Sequence, residues 1–580
     1  MIFAPRLLSW RPSVFTPAVL PPLSMRLPLG LCCALAALSV GNVDLLAQPV
    51  TPPRLAVVIS VDQLRYDYLD RFNTHFSSDG FRRLREGGAD FTDAHYRHGV
   101  TKTAPGHALI LSGVHANVSG IVGNEWVDLG SLQTVASVED PTSPLVGAEV
   151  RPGRSPGGVI EAKEGRSPRR FEATTVGDGL KLRYGPQSRV ISVANKDRSA
   201  ILMGGRMADG VFWIDRGRFV SSQYYGSTLP AWVEAFNGER RIEAAFGQEW
   251  TRTLPPAAYE ALGPDDAPGE ATIAGFGPTF PKRIDGGAAT ITDDFYEAYT
   301  MTPLYTELLG EFAKLAVRSE KLGTRAGTDL LCIGFSQLDH SGHNWGPDSH
   351  EVLDTLVRMD RVIAGLLRFL DDEVGAGRYV VVLTADHGVA PLPERVLAFN
   401  RDVPAGRLNM KSIDQTVSSA LDAAFGAPDA NHYWMIRDGF GFHLRPEILK
   451  AKGITLEAAA AVVQGALAAR PEISLVYTRA DFASGRRLDP IGERMRLSYH
   501  AKRSPDVVYV TRPFFFDRSP YGVNHGSPYN YDSHVPLLWY GAGVPAGRRS
   551  EPAGVDDLAP TLSKLLGLPA PPQAEGRQLF

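Results

Sequence analysis

Several short stretches place carboxylates, imidazoles or cations directly after apolar, β-branched runs. Asp62 ends the run Leu55–Val61, and Thr384-Ala-Asp-His-Gly388 follows residues 379–383. Ser336-Gln-Leu-Asp-His-Ser-Gly-His343 follows Asp329–Phe335, and Ala194-Asn-Lys-Asp-Arg198 follows residues 189–193. Such runs read as buried parallel strands, whose C-terminal ends are where open α/β sheets place ligand sites. A carboxylate oxygen beside an imidazole nitrogen, as in Asp386-His387, suits Zn²⁺ or a similar divalent ion. Asp339 and His343 have the spacing that puts two ligands on one helical turn, with His340 as a spare imidazole. His525 and His534 both lie near the last apolar run, 535–540, and either can supply another nitrogen. Asp62, Asp339, His343, Asp386, His387 and one of these two are too many donors for one tetrahedral ion and suit two neighbouring ions.

Thr103 adds a hydroxyl. It stands before Ala104-Pro105, and a hydroxyl residue with Pro in the first turn marks a helix start. That position fits an N-cap, and it also fits a nucleophile at the helix end where amide groups and dipole favour phosphate. Two nearby ions would let the hydroxyl ionise at ordinary pH and would stabilise a departing oxygen. Asn124 is either a turn residue or an amide donor to a ligand. Lys196 and Arg198 alternate, so on an extended segment both point the same way and can grip one anion. The combination is that of phosphoryl transfer.

The elements that must position these groups are legible between them. Asp348 and Glu351 have capping-box spacing ahead of a long near-3.6-residue apolar period from Val352 to Leu370, which predicts an amphipathic helix between the strands at 329–335 and 379–383. Residues 128–300 read as an inserted cap, polar at first and then rich in aromatics, Gly and Pro. Residues 398–515 read as a second insertion, a small α+β lobe with an Ala-rich helix over 455–469. The chain has 580 residues, 44% hydrophobic and 21% charged, with a formal net charge of −4. That balance excludes a general binder of nucleic-acid polymers and a polybasic membrane patch. From Met25, a charged Arg26 and an apolar run over 27–40 have the layout of a secretory signal peptide, with Met25 as an alternative start. The run is short for a membrane anchor. A leader over 1–47, a catalytic domain over 48–580, and a periplasmic or secreted protein are expected. Cys332 is then the single remaining cysteine and reads as a small buried hydrophobe.

Val61-Asp62, Thr103-Ala-Pro-Gly-His107, Gly123-Asn124, Asn195-Lys-Asp-Arg198, Asp339-His-Ser-Gly-His343, Thr384-Ala-Asp-His-Gly388 and His525-Gly526, in this order, resemble the alkaline phosphatase superfamily. Within it they are similar to the phosphate-irrepressible (PafA-type) alkaline phosphatases, which share a core with the nucleotide pyrophosphatase/phosphodiesterases. The resemblance implies an α/β fold with an alkaline-phosphatase-like, mainly parallel sheet flanked by helices. It implies one Zn²⁺ on Asp339, His343 and His525, a second on Asp62, Thr103, Asp386 and His387, and a transient phosphothreonine on Thr103. It favours His525 over His534, because family members carry a His-Gly shortly before the final strand. It makes the Lys196–Arg198 pair a mark of small phosphate monoesters as substrates, since a dianion is held better by two cations and diesterase relatives lack the pair at this place. The chain has no Cys-x-Pro-x-Arg sulfatase signature and no acidic cluster matching a third, magnesium site. The alternative is a phosphodiesterase or nucleotide pyrophosphatase on the same core.

Overall fold

The computed structural model describes residues 52–148, 165–429, 433–518 and 520–580, so the expected leader lies outside the described residues. The core is a ten-stranded sheet. Strands β1 (Leu55–Val61), β2 (Val190–Ala194), β3 (Gly210–Asp215), β4 (Asp329–Phe335) and β5 (Tyr379–Thr384) run parallel in the order β5-β1-β4-β2-β3. Strand β6 (Leu537–Gly541) lies antiparallel beside β5. β1, β4 and β5 are buried along their whole length, as expected of parallel strands covered on both faces. Cys332 sits in the middle of β4 with no exposed surface, and burial pushes its thiol well above the usual range.

Register aligns the chemistry. Ser60 pairs with both Gly334 and Thr384, and Gly334 pairs with Ala194. The chain therefore leaves β1, β4, β5 and β2 at one edge of the sheet, and the segments that follow carry Asp62, Asp339, Asp386 and Lys196. Four helices serve that edge: α1 (Thr103–Ser112), α2 (Asp197–Gly204), α3 (Gln337–Trp345) and α4 (His350–Leu370). α4 is the amphipathic helix read from the sequence, but its cap differs. Ser349 accepts from the Val352 amide at 3.2 Å, whereas Asp348 pairs with Arg71 at 2.6 Å and Glu351 turns inward to Lys282 at 2.8 Å. Glu351 and Lys282 are both fully buried, and a buried carboxylate must be paired, so Glu351 is drawn to the ammonium rather than to the helix end.

Besides β2, three strands inside the range 128–300 belong to the main sheet: β3, its antiparallel neighbour Arg218–Ser222, and Leu145–Val146 beyond it. Val211, Phe212 and Val220 are buried there, so this aromatic-rich stretch serves the core as well as the cap. Farther along, Met435–Asp438, Gly441–Leu444, Ile473–Thr478 and Val507–Thr511 form a separate four-stranded antiparallel sheet. Helices Met410–Phe425 and Leu456–Ala468 cover it, sharing a core that includes Ile413, Val417, Phe442 and Val463.

In the cap, burial and the neighbouring Glu351 charge push the Glu270 carboxyl from 4.5 up to about 9. The folded chain thus holds this proton more tightly than the unfolded chain. The contribution to stability is full below the unfolded pKa and is lost as pH rises through the folded one. Glu270→Gln is expected to melt with the wild type near pH 4 and above it near pH 10, read by thermal unfolding across that range.

Candidate active site

Two groups of donors converge at the sheet edge. In the first, Asp339 and His343 lie one turn apart on α3, with His343 Nε2 at 3.2 Å from Asp339 Oδ1, and His525 Nε2 lies 3.7 Å from the same oxygen. In the second, His387 Nε2 is 3.2 Å from Asp386 Oδ2, and His107 bridges Asp62 Oδ1 at 3.4 Å and Asp386 Oδ2 at 3.5 Å. By mutual distance the groups able to hold an ion each are Asp339-His343-His525 and Asp62-His107-Asp386. The rings of His387 and His525 stack with centroids 3.5 Å apart, so the groups adjoin.

The imidazoles are oriented as metal ligands. His343 Nδ1 donates to the Val523 carbonyl at 2.9 Å, His387 Nδ1 to that of Gly388 at 2.9 Å, and His525 Nδ1 to that of Thr101 at 2.8 Å. A carbonyl only accepts, so Nδ1 carries a proton and Nε2 is the ring atom left facing the centre in each case. Asp62 Oδ1, Asp386 Oδ2, His107 Nε2 and His387 Nε2 are buried without a hydrogen-bond partner among the described residues. Each buried polar atom left unpaired costs about 1–3 kcal/mol. Divalent cations would relieve all of them together, and the residues present fit that role.

The electrostatics point the same way. Burial and the charge of Asp386 raise the Asp62 carboxyl above its usual range. Burial also acts to raise Asp386, but the neighbouring His387 pulls that carboxyl below the usual value. Burial acts against the Lys196 ammonium, yet the Asp339 and Asp62 carboxylates more than compensate and hold it above its ordinary pKa. Its Nζ lies 2.6 Å from Asp339 Oδ2 and 3.0 Å from Asp62 Oδ2, so the lysine bridges the two groups.

Lys196 and Arg198 do not share the extended segment expected from their alternation. Lys196 is the N-cap of α2 and Arg198 stands in its first turn, because Asp197 between them favours a helix N-terminus. Arg198 Nε is buried without a hydrogen-bond partner among the described residues. Thr103 is the first residue of α1, one position inside the helix, and the N-cap is Lys102, whose side chain makes no capping bond. The hydroxyl therefore keeps clear of the cap role that its residue type allows. Asn124 Oδ1 accepts from the Ala104 amide at 2.8 Å, which leaves its amide hydrogens for a ligand at the same helix end.

His107 and Gln63 carry contacts that the sequence reading did not assign. His107 Nδ1 donates to the Thr103 carbonyl at 2.9 Å, one turn back on α1, and the ring reaches both carboxylates of the second group. Its signal was the four-residue step from Thr103, the same step as Asp339 to His343. Gln63 donates its backbone N–H to Asp386 Oδ1 at 3.2 Å and its side-chain amide to Asp339 Oδ1 at 2.7 Å, from a left-handed backbone with φ 68°. Nothing but adjacency to Asp62 marked it. The spare imidazoles sit elsewhere. His534 Nε2 meets the Thr92 carbonyl at 2.9 Å and its ring stacks on His95 and Tyr66, while His340 faces Thr300 Oγ1 at 3.3 Å.

α1 is held against this centre by a close approach at Gly106. A Cβ there would stand 2.8 Å from Asp386 Cβ and 2.9 Å from its Cα, so either the helix or the ligand loop must move. Gly106→Ala is expected to lower kcat/KM about 10²-fold with the fold retained, checked by steady-state kinetics beside circular dichroism.

Among known proteins, residues 56–525 match the type I phosphodiesterase / nucleotide pyrophosphatase family. A calcium-transporting ATPase of Myroides odoratus is 30% identical over 91% of this chain and 94% of its own length. Alkaline phosphatase PhoV of Synechococcus elongatus is 32% identical over 91% of this chain and 93% of its own. The crystal structure of wild-type alkaline phosphatase PafA superposes with a TM-score of 0.83 at 30% identity, covering 91% of this chain and 99% of that one. The large mixed sheet flanked by helices is the PafA fold, and the chain belongs to the type I phosphodiesterase / nucleotide pyrophosphatase family, with the PafA-type alkaline phosphatases among its relatives.

Proposed function

We propose that this alkaline phosphatase is exported, holds two Zn²⁺ and hydrolyses small phosphate monoesters through a phosphothreonine on Thr103. The observation that carries the reading is the convergence of Nε2 atoms and unpaired carboxylate oxygens on one sheet edge, beside a lysine and the N-terminus of α1. Asp339, His343 and His525 would hold one ion. Asp62, Asp386, His387 and the Thr103 oxygen would hold the other, with His107 bracing both carboxylates. When bound, the ions supply Lewis-acid charge that lowers the pKa of the Thr103 hydroxyl and stabilises the departing ester oxygen.

Thr103 releases its hydroxyl proton to solvent, Oγ1 attacks phosphorus in line with the ester oxygen, and the alcohol leaves with a proton from solvent. The Thr103 backbone N–H, the free amide hydrogens of Asn124 and the Arg198 guanidinium hold the non-bridging oxygens. Lys196 adds a second positive charge beside them. Water then cleaves the phosphothreonine, restoring the hydroxyl and releasing phosphate. Export rests on the signal-peptide pattern from Met25, and no helix among the described residues is long and apolar enough to cross a membrane. The name of the Myroides relative adds ATP to the substrates worth testing, because its terminal phosphate presents charge as a monoester does.

The family match favours a phosphodiesterase as the second reading. Lys196 at the centre and Arg198 in the first turn of α2 favour the monoesterase, since a dianion gains more from two cations than a monoanion does. With p-nitrophenyl phosphate and its methyl diester, the wild type is expected to prefer the monoester in kcat/KM. The Lys196→Ala/Arg198→Ala variant is expected to lose about 10²-fold on the monoester and under about threefold on the diester. A wild type that prefers the diester would reverse the assignment.

A further inference from the structure

A cavity of about 360 Å³ lies between the core and the four-stranded lobe. Its size falls within the range of small-molecule sites, roughly 300–1,000 Å³. On the core side it is lined by Lys102, Gly123 and residues 526–528, the immediate chain neighbours of Thr103, Asn124 and His525. On the lobe side it is lined by Phe440, Phe482, Met495, Tyr499 and Tyr509. Phe440 lies against Tyr509 with centroids 5.6 Å apart, and Phe482 against Tyr499 at 4.5 Å, so that wall is aromatic.

The cavity is fixed at both ends. At the neck, Thr101 Oγ1 donates to the Ser527 carbonyl at 2.8 Å while the Thr101 carbonyl accepts from His525 Nδ1 at 2.8 Å, which ties the two core segments together. Gly526 has φ 111°, and a Cβ there would stand 3.1 Å from Lys102 Cε, so the lysine stem runs along this glycine at the boundary between cavity and centre. At the far end, Asp438 of the lobe accepts from the Val127 amide at 3.0 Å, which holds the lobe to the core hairpin Glu125–Asp128 and Gln133–Ala136.

In an in-line displacement the leaving group departs on the side opposite the nucleophile. On the monoesterase reading above, on which this inference rests, its oxygen meets the Asp339-His343-His525 group, and the chain after His525 runs directly into the cavity wall. We propose that this cavity is a leaving-group subsite that takes the flat aromatic or heteroaromatic part of a phosphate monoester. Stacking on the Phe440–Tyr509 wall binds the ring, and Arg437, Asp438 and Asp517 at the rim offer polar partners to ring heteroatoms.

AMP and ribose 5-phosphate test this, because both release a primary 5′-alcohol and differ in the base. The expected kcat/KM ratio of AMP to ribose 5-phosphate is about tenfold in the metal-loaded wild type, the scale of one base–aromatic stack. Phe440→Ala removes the half-buried ring, and Thr134→Trp fills the cavity from an exposed hairpin position. Both are expected to bring the ratio within about twofold of one while ribose 5-phosphate turnover and inhibition by inorganic phosphate stay within about twofold of the wild type. Calorimetry should show adenosine binding to the wild type and weakened binding to both variants. A wild-type ratio near one, or a ratio and adenosine affinity unmoved by both variants, overturns the subsite while leaving the monoesterase reading intact. Failure to turn over either ester overturns both.

Discussion

Thr103→Ala is expected to lower monoester kcat/KM by about 10⁴-fold or more, the scale on which loss of a covalent nucleophile acts. The position explains why no neighbour can substitute. Thr103 opens α1 inside the Lys102 N-cap, and Ala104, Pro105 and Gly106, which complete the first turn, carry no hydroxyl. Thr103→Ser keeps an oxygen in the same place and is expected to retain activity within about tenfold, because only the constraint on χ1 is lost. Kinetics on both variants, with circular dichroism to verify folding, separate a nucleophile from an N-cap. Loss of a cap would cost about 1 kcal/mol of stability and leave turnover near that of the wild type.

The ligand variants carry the second large effect. Asp386→Asn and His525→Ala are each expected to lower bound zinc from two per chain towards one and to reduce turnover about 10³-fold. His534→Ala is expected to change neither, since that imidazole meets the Thr92 carbonyl and stacks on His95 and Tyr66. Elemental analysis after dialysis, with activity measured on the same samples, reads both quantities. Full zinc content in the His525 variant together with loss in the His534 variant would exchange their roles. The asymmetry has a structural cause. His525 Nδ1 is occupied by the Thr101 carbonyl, which leaves Nε2 for the centre, whereas His534 spends its Nε2 on a carbonyl elsewhere.

The strands that position these groups were legible because burial on both faces demands continuous apolar runs, and the residue ending each run could be read off directly. Asp62, Asp386 and the Asp339–His343 step all follow such runs. The Lys196–Arg198 pair was placed at the correct strand end but given an extended backbone, because alternation describes a strand and Asp197 starts a helix instead. β3 and Arg218–Ser222 are hidden among aromatic and glycine residues that read as a cap, since only the pairing of β3 with β2, and of Arg218–Ser222 with β3, shows that they extend the sheet. The choice between His525 and His534 could not be made from residue type, as both are single imidazoles near one strand. Gln63 and His107 act through partners distant in sequence, and contacts of that kind follow from the packing of α1 against the ends of β1 and β5.

The central claim is that phosphate passes through Thr103. The direct measurement is an acid quench of the zinc-loaded enzyme during turnover of an excess of a phosphate monoester, followed by proteolysis and mass spectrometric mapping. The expected result is phosphothreonine at Thr103, absent from Thr103→Ala. Phosphate on another residue, or an unmodified chain under conditions where hydrolysis of the intermediate limits turnover, would contradict it.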